Sequence, residues 1–207
     1  MKVAVICYHK NLGSYPEKWI RDYKNSILQQ TYRKFDIYEV NYGGGEERVF
    51  EKSNFESIEF PTFVHAMNHL LNKLLIEGDY DCVFNTNVDD YYSPHRIAKQ
   101  LGYIGKGYDI VSSNFILLRD KQPMYYHKFH ELDIKKEFAK RHNIIGHPVV
   151  VYSRKFWQDN QYDPSQIPAE DFRLWERTID KYKFHIVKDH LLYHRIHGQS
   201  VCNSQNR

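Results

Sequence analysis

Strand-like and helix-like patterns alternate through the first half of the chain, and this alternation limits the fold more than any other feature of the sequence. Short apolar runs typical of buried strands lie at residues 3–7, 35–40, 58–60, 82–84 and 109–113. Segments with apolar residues at helical spacing separate them, at residues 16–30, 61–77 and 94–103. Strands that alternate with helices are typical of βαβ units, so we predict an α/β domain on a mostly parallel sheet.

The second half of the chain has a less regular pattern. Residues 114–130 are rich in aromatic side chains and His without a clean period, which predicts a loop or hairpin over a binding site. Further along, the pattern predicts a short amphipathic helix at 132–142, a strand at 149–152 and a helix at 170–180. We interpret this half as the substrate side of the same domain, since 207 residues suit one domain with a full core.

Charge and cysteine content argue against several classes of protein. The 29 basic and 26 acidic residues give a net charge of +3, too even a balance to support nucleic-acid binding. Cys7, Cys82 and Cys202 form neither a disulfide framework nor a metal-ligand spacing, which favours a reducing compartment. No apolar run approaches the roughly 20 residues of a membrane span, and the N-terminal run is too short for a signal peptide. We therefore predict a cytoplasmic protein with no transmembrane segment.

Acidic side chains follow the apolar run at residues 82–84. Asn87, Val88, Asp89 and Asp90 leave the C-terminal end of this strand, at the edge where an open α/β sheet binds its ligands. Clustered carboxylates there favour a hard divalent cation with phosphate oxygens on its far side, as in a site for a nucleotide diphosphate. The alternative is structural, because Asp and Asn are common turn residues that can simply end a strand.

Five landmarks follow one another along the chain. They are Ser-Ile-Leu-Gln-Gln-Thr-Tyr at 26–32, Asn-Val-Asp-Asp at 87–90 with Pro94 after it, Asn-Ile-Ile-Gly-His-Pro at 143–148, Pro-Ala-Glu-Asp-Phe-Arg-Leu-Trp at 168–175 and Tyr-His-Arg-Ile-His-Gly-Gln-Ser at 193–200. In this order they resemble a family 2 glycosyltransferase of the GT-A fold, a nucleotide-diphospho-sugar transferase, over nearly the whole chain.

This resemblance implies a fold and a division of the chain. The expected fold is a single GT-A domain at residues 1–202, with a Rossmann-like, mostly parallel central sheet, flanking helices and a C-terminal acceptor-side segment. The nucleotide-sugar half is expected at about 1–113 and the acceptor half at about 114–202. Residues 203–207 are expected to be a polar tail that either ends the chain or links it to a further domain.

The resemblance also implies a metal-dependent inverting transferase in which Mn²⁺ or Mg²⁺ bridges the phosphates of a nucleotide sugar. Asp89, the last position of a DXD-like motif, is the expected metal ligand, and His197 is expected to reach back to the metal or the diphosphate. Asn87 stands where the family usually has Asp, and its amide can still bind the ribose and metal-bound water. Asp90 either meets donor-sugar hydroxyls or caps the next helix, and Val88 and Arg195 are expected beside the nucleotide.

The expected nucleotide pocket departs from the family pattern. Family members often carry Asp-Gly-Ser after the second strand, and this chain has Asn41 and Tyr42 followed by three Gly. Asn41 or Tyr42 is therefore expected to read the base, with Tyr42 able to stack on it. Tyr8, His9 and Asn68 are the other expected walls, and UDP is the expected nucleotide.

Two neighbouring acids match the family's catalytic position. An inverting transfer needs a carboxylate that takes the proton from the acceptor hydroxyl, and we expect Asp171 to be that base. Glu170 is expected to orient it or to contact the acceptor, while His147 is expected to be structural or to line the acceptor site. The alternative is that two acids in the first turn of a helix complement the helix dipole.

The leading hypothesis is an enzyme that moves a sugar from a UDP-sugar to a hydroxyl acceptor, with a glycan as the expected acceptor. The alternative is a binding module that keeps the fold and the nucleotide-sugar site without turnover, since Asn87 and the loop at 41–45 both depart from the usual pattern. A nucleotidyltransferase would need a Gly-rich loop with Arg and Lys after the first strand, and residues 8–13 do not supply it.

Overall fold

The first strand of the chain, β1 (Val3–His9), lies between two strands that run parallel to it. In this computed structural model, which describes residues 1–119 and 122–198, its neighbours are β2 (Asp36–Asn41) and β4 (Cys82–Asn85). Strand β3 (Asn54–Ser57) adds to β2, again in parallel. Every residue of β1 is buried, because helices cover both faces of this part of the sheet.

Alternate residues of β1 point to opposite faces, so each face has its own core. On one face Ala4 and Ile6 pack in the cluster that contains α2 (Phe63–Asn72), which continues as a π-turn over Lys73–Glu77. On the other face the core contains Val3 and Val5, with residues of α1 (Glu17–Leu28) and α3 (Arg96–Ile104). The layers are therefore helix, sheet and helix.

The second half of the chain completes the sheet with mixed pairing. Strand β8 (Val151–Ser153) is antiparallel to β4 and to β6 (Ile110–Arg119), and β9 (Phe184–Arg195) is parallel to β6. At the edges, β5 (Tyr91–Tyr92) pairs with β9 and β7 (Gln122–Tyr126) pairs with β6, both antiparallel. The order of the described strands is β3-β2-β1-β4-β8-β6-β9-β5, with β7 beside β6.

Within residues 122–198, three further α-helices follow β7. They are α4 (Ile134–Ala139), α5 (Arg154–Asp159) and α6 (Glu170–Thr178). No helix among the described residues is long and apolar enough to cross a membrane.

The predicted α/β class and the parallel first half are confirmed, and residues 114–130 contain the β6–β7 hairpin. Several strands differ from the prediction. Strand β6 continues to Arg119 rather than ending at residue 113, and β5 and β9 were not predicted. The third strand is Asn54–Ser57 rather than 58–60, and His147–Val149 forms a 3₁₀ turn before a shorter β8. The predicted bounds of the domain and its halves stay predictions, and Gln199, Ser200, Cys202 and the tail at 203–207 lie outside the described residues.

Candidate functional site

The acidic loop leaves the end of β4 and is held there by hydrogen bonds. The Thr86 hydroxyl donates to the carbonyl oxygen of Ile6 at 2.6 Å, which ties the loop to β1. The Tyr8 hydroxyl donates to Oδ1 of Asn87 at 3.1 Å, and the Asn87 backbone N–H donates to the Tyr92 hydroxyl at 2.8 Å. The structure thus brings together Tyr8 and Asn87, two of the residues predicted to line the nucleotide site.

The two predicted metal ligands also meet. Nε2 of His197 lies 2.9 Å from Oδ2 of Asp89, and the two side chains are 13% and 17% exposed. The imidazole packs against Trp19 and Tyr15, whose ring centroids lie 5.0 and 6.5 Å away. Sequence reasoning missed both aromatic residues as part of the site, because Trp19 fits the apolar face of α1 and nothing marks Tyr15 as a neighbour of His197.

Asp90 has a contact that neither expectation included. Its carboxylate is fully buried, accepts a hydrogen bond from the Arg195 backbone N–H at 2.9 Å, and lies 3.0 Å from Nδ1 of His194. Burial lowers the pKa of His194, but the charge of Asp90 and this hydrogen bond outweigh it and raise the pKa to about 9. Asp90 therefore anchors the end of β9 and does not cap α3, whose N-cap is His95. The predicted contact of Asp90 with donor-sugar hydroxyls stays a prediction.

Arg195 lies behind the acidic loop. Its Nη1 donates to the carbonyl oxygen of Asp89 at 2.7 Å, and its Nη2 donates to Oδ2 of Asp22 on α1 at 2.8 Å. Val88 is buried in the core beside α1 and α3, so any contact it makes with a nucleotide would come from its backbone. The nucleotide contacts predicted for Arg195 and Val88 stay predictions, while the contacts described are internal.

Asp89 and His197 offer one carboxylate and one imidazole to a metal ion. In the part of the chain that the structure describes, no group of three or more His, Cys, Asp or Glu side chains could hold one. Such a group is not required, since Mg²⁺ in nucleotide enzymes is usually held by one or two carboxylates together with substrate phosphates and water. The Asp89 carboxylate suits Mn²⁺ or Mg²⁺, and a neutral imidazole is a common metal ligand, so the pair fits a cation shared with a diphosphate.

His9 is buried and contacts an acid on the neighbouring strand. Its Nε2 lies 2.9 Å from Oε1 of Glu39, and both side chains are fully buried. Glu39 also accepts hydrogen bonds from the backbone N–H groups of Val49 and Phe50 and from the Ser53 hydroxyl. The imidazole thus supports a carboxylate that holds the segment after β2, and the wall position predicted for His9 stays a prediction.

Asn41 and Asn68 likewise use their amides inside the protein. Oδ1 of Asn41 accepts from the Gly43 backbone N–H at 3.0 Å, and Nδ2 of Asn68 donates to the Tyr162 carbonyl oxygen at 2.8 Å. A Cβ at Gly43 would lie 2.8 Å from the Lys10 carbonyl oxygen, so this close approach requires glycine. The base contact of Asn41 or Tyr42 and the wall position of Asn68 stay predictions.

The two acids of the predicted catalytic position begin α6. Asn143 Nδ2 donates to Oδ2 of Asp171 at 2.9 Å, and the Phe172 backbone N–H donates to its Oδ1 at 2.6 Å. Glu170 is only 6% exposed, and its Oε2 has no hydrogen-bond partner within residues 1–119 and 122–198. Burial, together with the neighbouring charge of Asp171, raises the pKa of Glu170 to about 7, although a backbone hydrogen bond opposes the shift.

His147 lies beside the end of β4, and the charge of Asp171 affects its pKa. Its carbonyl oxygen accepts a hydrogen bond of 3.0 Å from Nδ2 of Asn85, the last residue of β4. Burial lowers the pKa of the His147 imidazole, and the negative charge of Asp171 partly offsets this. His147 therefore contacts the strand that ends at the acidic loop and also lies within electrostatic reach of Asp171. Sequence reasoning named His147 with an open role and did not identify Asn143 as a partner of Asp171.

Comparison with known proteins gives structural matches alone. No family model and no curated protein matches the sequence. The structure of S. aureus TarS 1-349 with UDP-GlcNAc matches 99% of this chain and 61% of its own, with a TM-score of 0.70 and 15% identity. TarS 1-349 with UDP matches 95% and 61%, with a TM-score of 0.67 and 16% identity.

A third match comes from another organism. The mannosyltransferase PcManGT of Pyrobaculum calidifontis, with GDP-Man and Mn²⁺, matches 97% of this chain and 58% of its own, with a TM-score of 0.64 and 13% identity. This chain thus spans about three-fifths of the length of these structures. At such low identity the likeness shows the fold alone, and it confirms the predicted GT-A fold.

Proposed function

We propose that this chain transfers a sugar from a nucleotide diphosphate donor to a hydroxyl acceptor, as a metal-dependent, inverting glycosyltransferase. The observation that carries the proposal is the pairing of Asp89 with His197 beyond the end of β4, in a chain that also places two acids, Glu170 and Asp171, in the first turn of α6. Support also comes from structures of the same fold that contain UDP, UDP-GlcNAc or GDP-Man with Mn²⁺.

The first acidic segment supplies the donor side of this proposal. Asp89 and His197 would hold Mn²⁺ or Mg²⁺, and the cation would neutralise negative charge on the departing diphosphate. The Asn87 amide, oriented by the Tyr8 hydroxyl, would take the place that a first acid has in a DXD motif. The assignment to family 2 belongs to this proposal, as do UDP as the nucleotide, a glycan as the acceptor and a cytoplasmic location.

The second acidic segment supplies the acceptor side. Asp171 would accept the proton of the acceptor hydroxyl as it attacks the anomeric carbon from the face opposite the diphosphate. The Asn143 amide and the Phe172 backbone N–H fix the orientation of this carboxylate. Glu170, with a pKa of about 7, is largely protonated below neutral pH, and it can then donate a hydrogen bond to a sugar hydroxyl.

The test measures UDP release and product mass over a panel of UDP-sugars and glycan acceptors, with Mn²⁺ added and with the metal removed by EDTA. Metal-stimulated transfer with inverted anomeric configuration is the expected result. Calorimetric binding of UDP with Mn²⁺, without product from any donor and acceptor, would favour the non-catalytic binding module instead. The absence of both binding and turnover would contradict the whole proposal.

A further inference from the structure

Asp22, an acid on α1, is linked to the acidic loop through a single residue, Arg195. Nη2 of Arg195 donates to Oδ2 of Asp22 at 2.8 Å, and Nη1 of the same guanidinium donates to the carbonyl oxygen of Asp89 at 2.7 Å. Arg195 is only 8% exposed, whereas the Asp22 side chain is 27% exposed, so the bridge runs from the surface of α1 to a buried guanidinium. Helix α1 is thereby connected to the residue proposed to hold the metal.

The geometry of the bridge limits where the Asp89 backbone can lie. A guanidinium is planar and its N–H groups form a rigid fork, so a bond from one nitrogen fixes the direction in which the other donates. The Trp19 and Tyr91 rings, with centroids 5.4 and 4.8 Å from the guanidinium carbon, restrict the Arg195 side chain further. Asp22 therefore sets the direction of the bond that Asp89 receives.

Arg195 is also linked to both proposed metal ligands, Asp89 and His197. Its backbone N–H donates to the Asp90 carboxylate at 2.9 Å, and His197 follows it by two residues. The positions of Asp89 and His197 thus both depend on Arg195. We propose that Asp22 is a positioning residue of the donor site, which acts through Arg195 to hold Asp89 at the distance from His197 that a shared cation requires. This inference rests on the proposed function.

A purely structural role for Asp22 makes a different prediction. Lys18 Nζ lies 2.6 Å from Oδ2 of Asp22 in an i,i+4 pair on the surface of α1. Exposed pairs of this kind contribute little to stability. If that pair were the reason for Asp22, then Lys18→Ala and Asp22→Asn would have the same small effect and neither would change metal binding.

The experiment measures Mn²⁺ affinity in the presence of UDP by calorimetry, UDP affinity without metal, and the thermal midpoint. For Asp22→Asn we expect Mn²⁺ affinity to fall about tenfold, the low end for loss of a residue that orients a metal ligand. UDP affinity without metal and the thermal midpoint should stay near the wild-type values. Glu17→Gln is the matched control, because it makes the same chemical change at an exposed acid of the same helix.

Two more variants test whether the effect passes through Arg195. Asp22→Glu keeps the charge and should recover most of the Mn²⁺ affinity. In an Arg195→Met background, Asp22→Asn should cause little further loss, since coupled residues are not additive. Equal losses in Asp22→Glu and Asp22→Asn, additive losses in the double variant, or a loss that parallels a lower thermal midpoint would each overturn the proposal.

The wild-type protein separates this proposal from the proposed function. Wild type that binds Mn²⁺ together with UDP, alongside an Asp22→Asn variant that binds it equally well, overturns the positioning role and leaves the function standing. Wild type without metal-dependent UDP binding contradicts the metal-dependent function itself, and the positioning role then fails with it.

Discussion

Nε2 of His197 lies 2.9 Å from Oδ2 of Asp89, although 108 residues separate the two along the chain. This contact places one imidazole and one carboxylate together, each a few residues after the C-terminal end of its strand, β9 for His197 and β4 for Asp89. If the pair holds a cation, removal of either side chain leaves a single protein ligand for it.

We therefore expect Asp89→Ala to abolish the stimulation of donor turnover by Mn²⁺, and His197→Ala to raise the Mn²⁺ concentration needed for half-maximal rate at least tenfold. Titration of Mn²⁺ against the rate of UDP release measures both. Asp180→Ala, at an acid on the protein surface, serves as the control. An Asp89→Ala variant with wild-type turnover and Mn²⁺ dependence would show that the metal assignment is wrong.

Asp171→Asn keeps the size of the side chain and removes its ability to take a proton. General base catalysis contributes roughly 10²- to 10⁴-fold, so kcat should fall by that factor while the dissociation constant of UDP changes little. The matched control is Glu176→Gln on the exposed side of the same helix. Parallel losses of turnover and nucleotide affinity in Asp171→Asn would point to a structural role.

Asn143→Ala should have a smaller effect on the same step. The variant removes the 2.9 Å hydrogen bond to Oδ2 of Asp171 but leaves the carboxylate able to accept a proton. A hydrogen bond to a charged group contributes about 1.5–3 kcal/mol, which corresponds to a loss in kcat of roughly 10- to 100-fold. Steady-state kinetics measure the change, and a variant with unchanged kcat would show that Asn143 does not orient the base.

The raised pKa of Glu170 predicts how stability depends on pH. The folded protein holds this proton up to a pH of about 7, whereas the group ordinarily titrates near 4.5. Its contribution to the free energy of unfolding is complete below pH 4.5 and is lost as the pH rises to 7. As the pH rises across this window, the free energy of unfolding of wild type should therefore fall relative to that of Glu170→Gln.

Urea unfolding at a series of pH values measures this difference. Glu176→Gln should follow the wild-type curve throughout, since this acid lies on the surface of the same helix. A constant difference between Glu170→Gln and wild type over the whole window would mean that Glu170 titrates normally in the folded protein.

The sequence predicted the parallel half of the fold because its strands are continuous apolar runs between well-separated amphipathic helices. It did not predict β9, and the burial along that strand explains why. Register shifts at Ser113 and Asn114 of β6 interrupt the pairing with β9, so buried residues of β9 do not alternate with exposed ones. A strand with neither period-two alternation nor a continuous apolar run carries no clear signal in its sequence.

The candidate site was predictable to the extent that residues at strand ends meet at one edge of a sheet. That rule placed Tyr8 near Asn87, and the order of the landmarks suggested the contact between Asp89 and His197. The rule does not say which way a side chain points. Consecutive residues of a strand face opposite sides, so Tyr8 reaches the acidic loop while His9 reaches Glu39.

The contact between His9 and Glu39 gives a prediction that separates a structural role of His9 from a nucleotide contact. Glu39→Ala would leave His9 and the backbone N–H groups of Val49 and Phe50 without their buried acceptor. A buried donor left without its acceptor costs about 1–3 kcal/mol, so the free energy of unfolding should fall by at least that amount. Urea unfolding measures it, with Glu51→Ala, at a mostly exposed acid of the same segment, as the control.

The matching variant of the imidazole is His9→Asn. Because the imidazole supports Glu39, we expect a clear loss of stability, as a buried carboxylate left without one of its donors is costly. UDP affinity, measured well below the temperature of unfolding, should stay near the wild-type value. A His9→Asn variant that unfolds like wild type but binds UDP more weakly would contradict the structural role of His9 and would support the wall position that the sequence predicts for it.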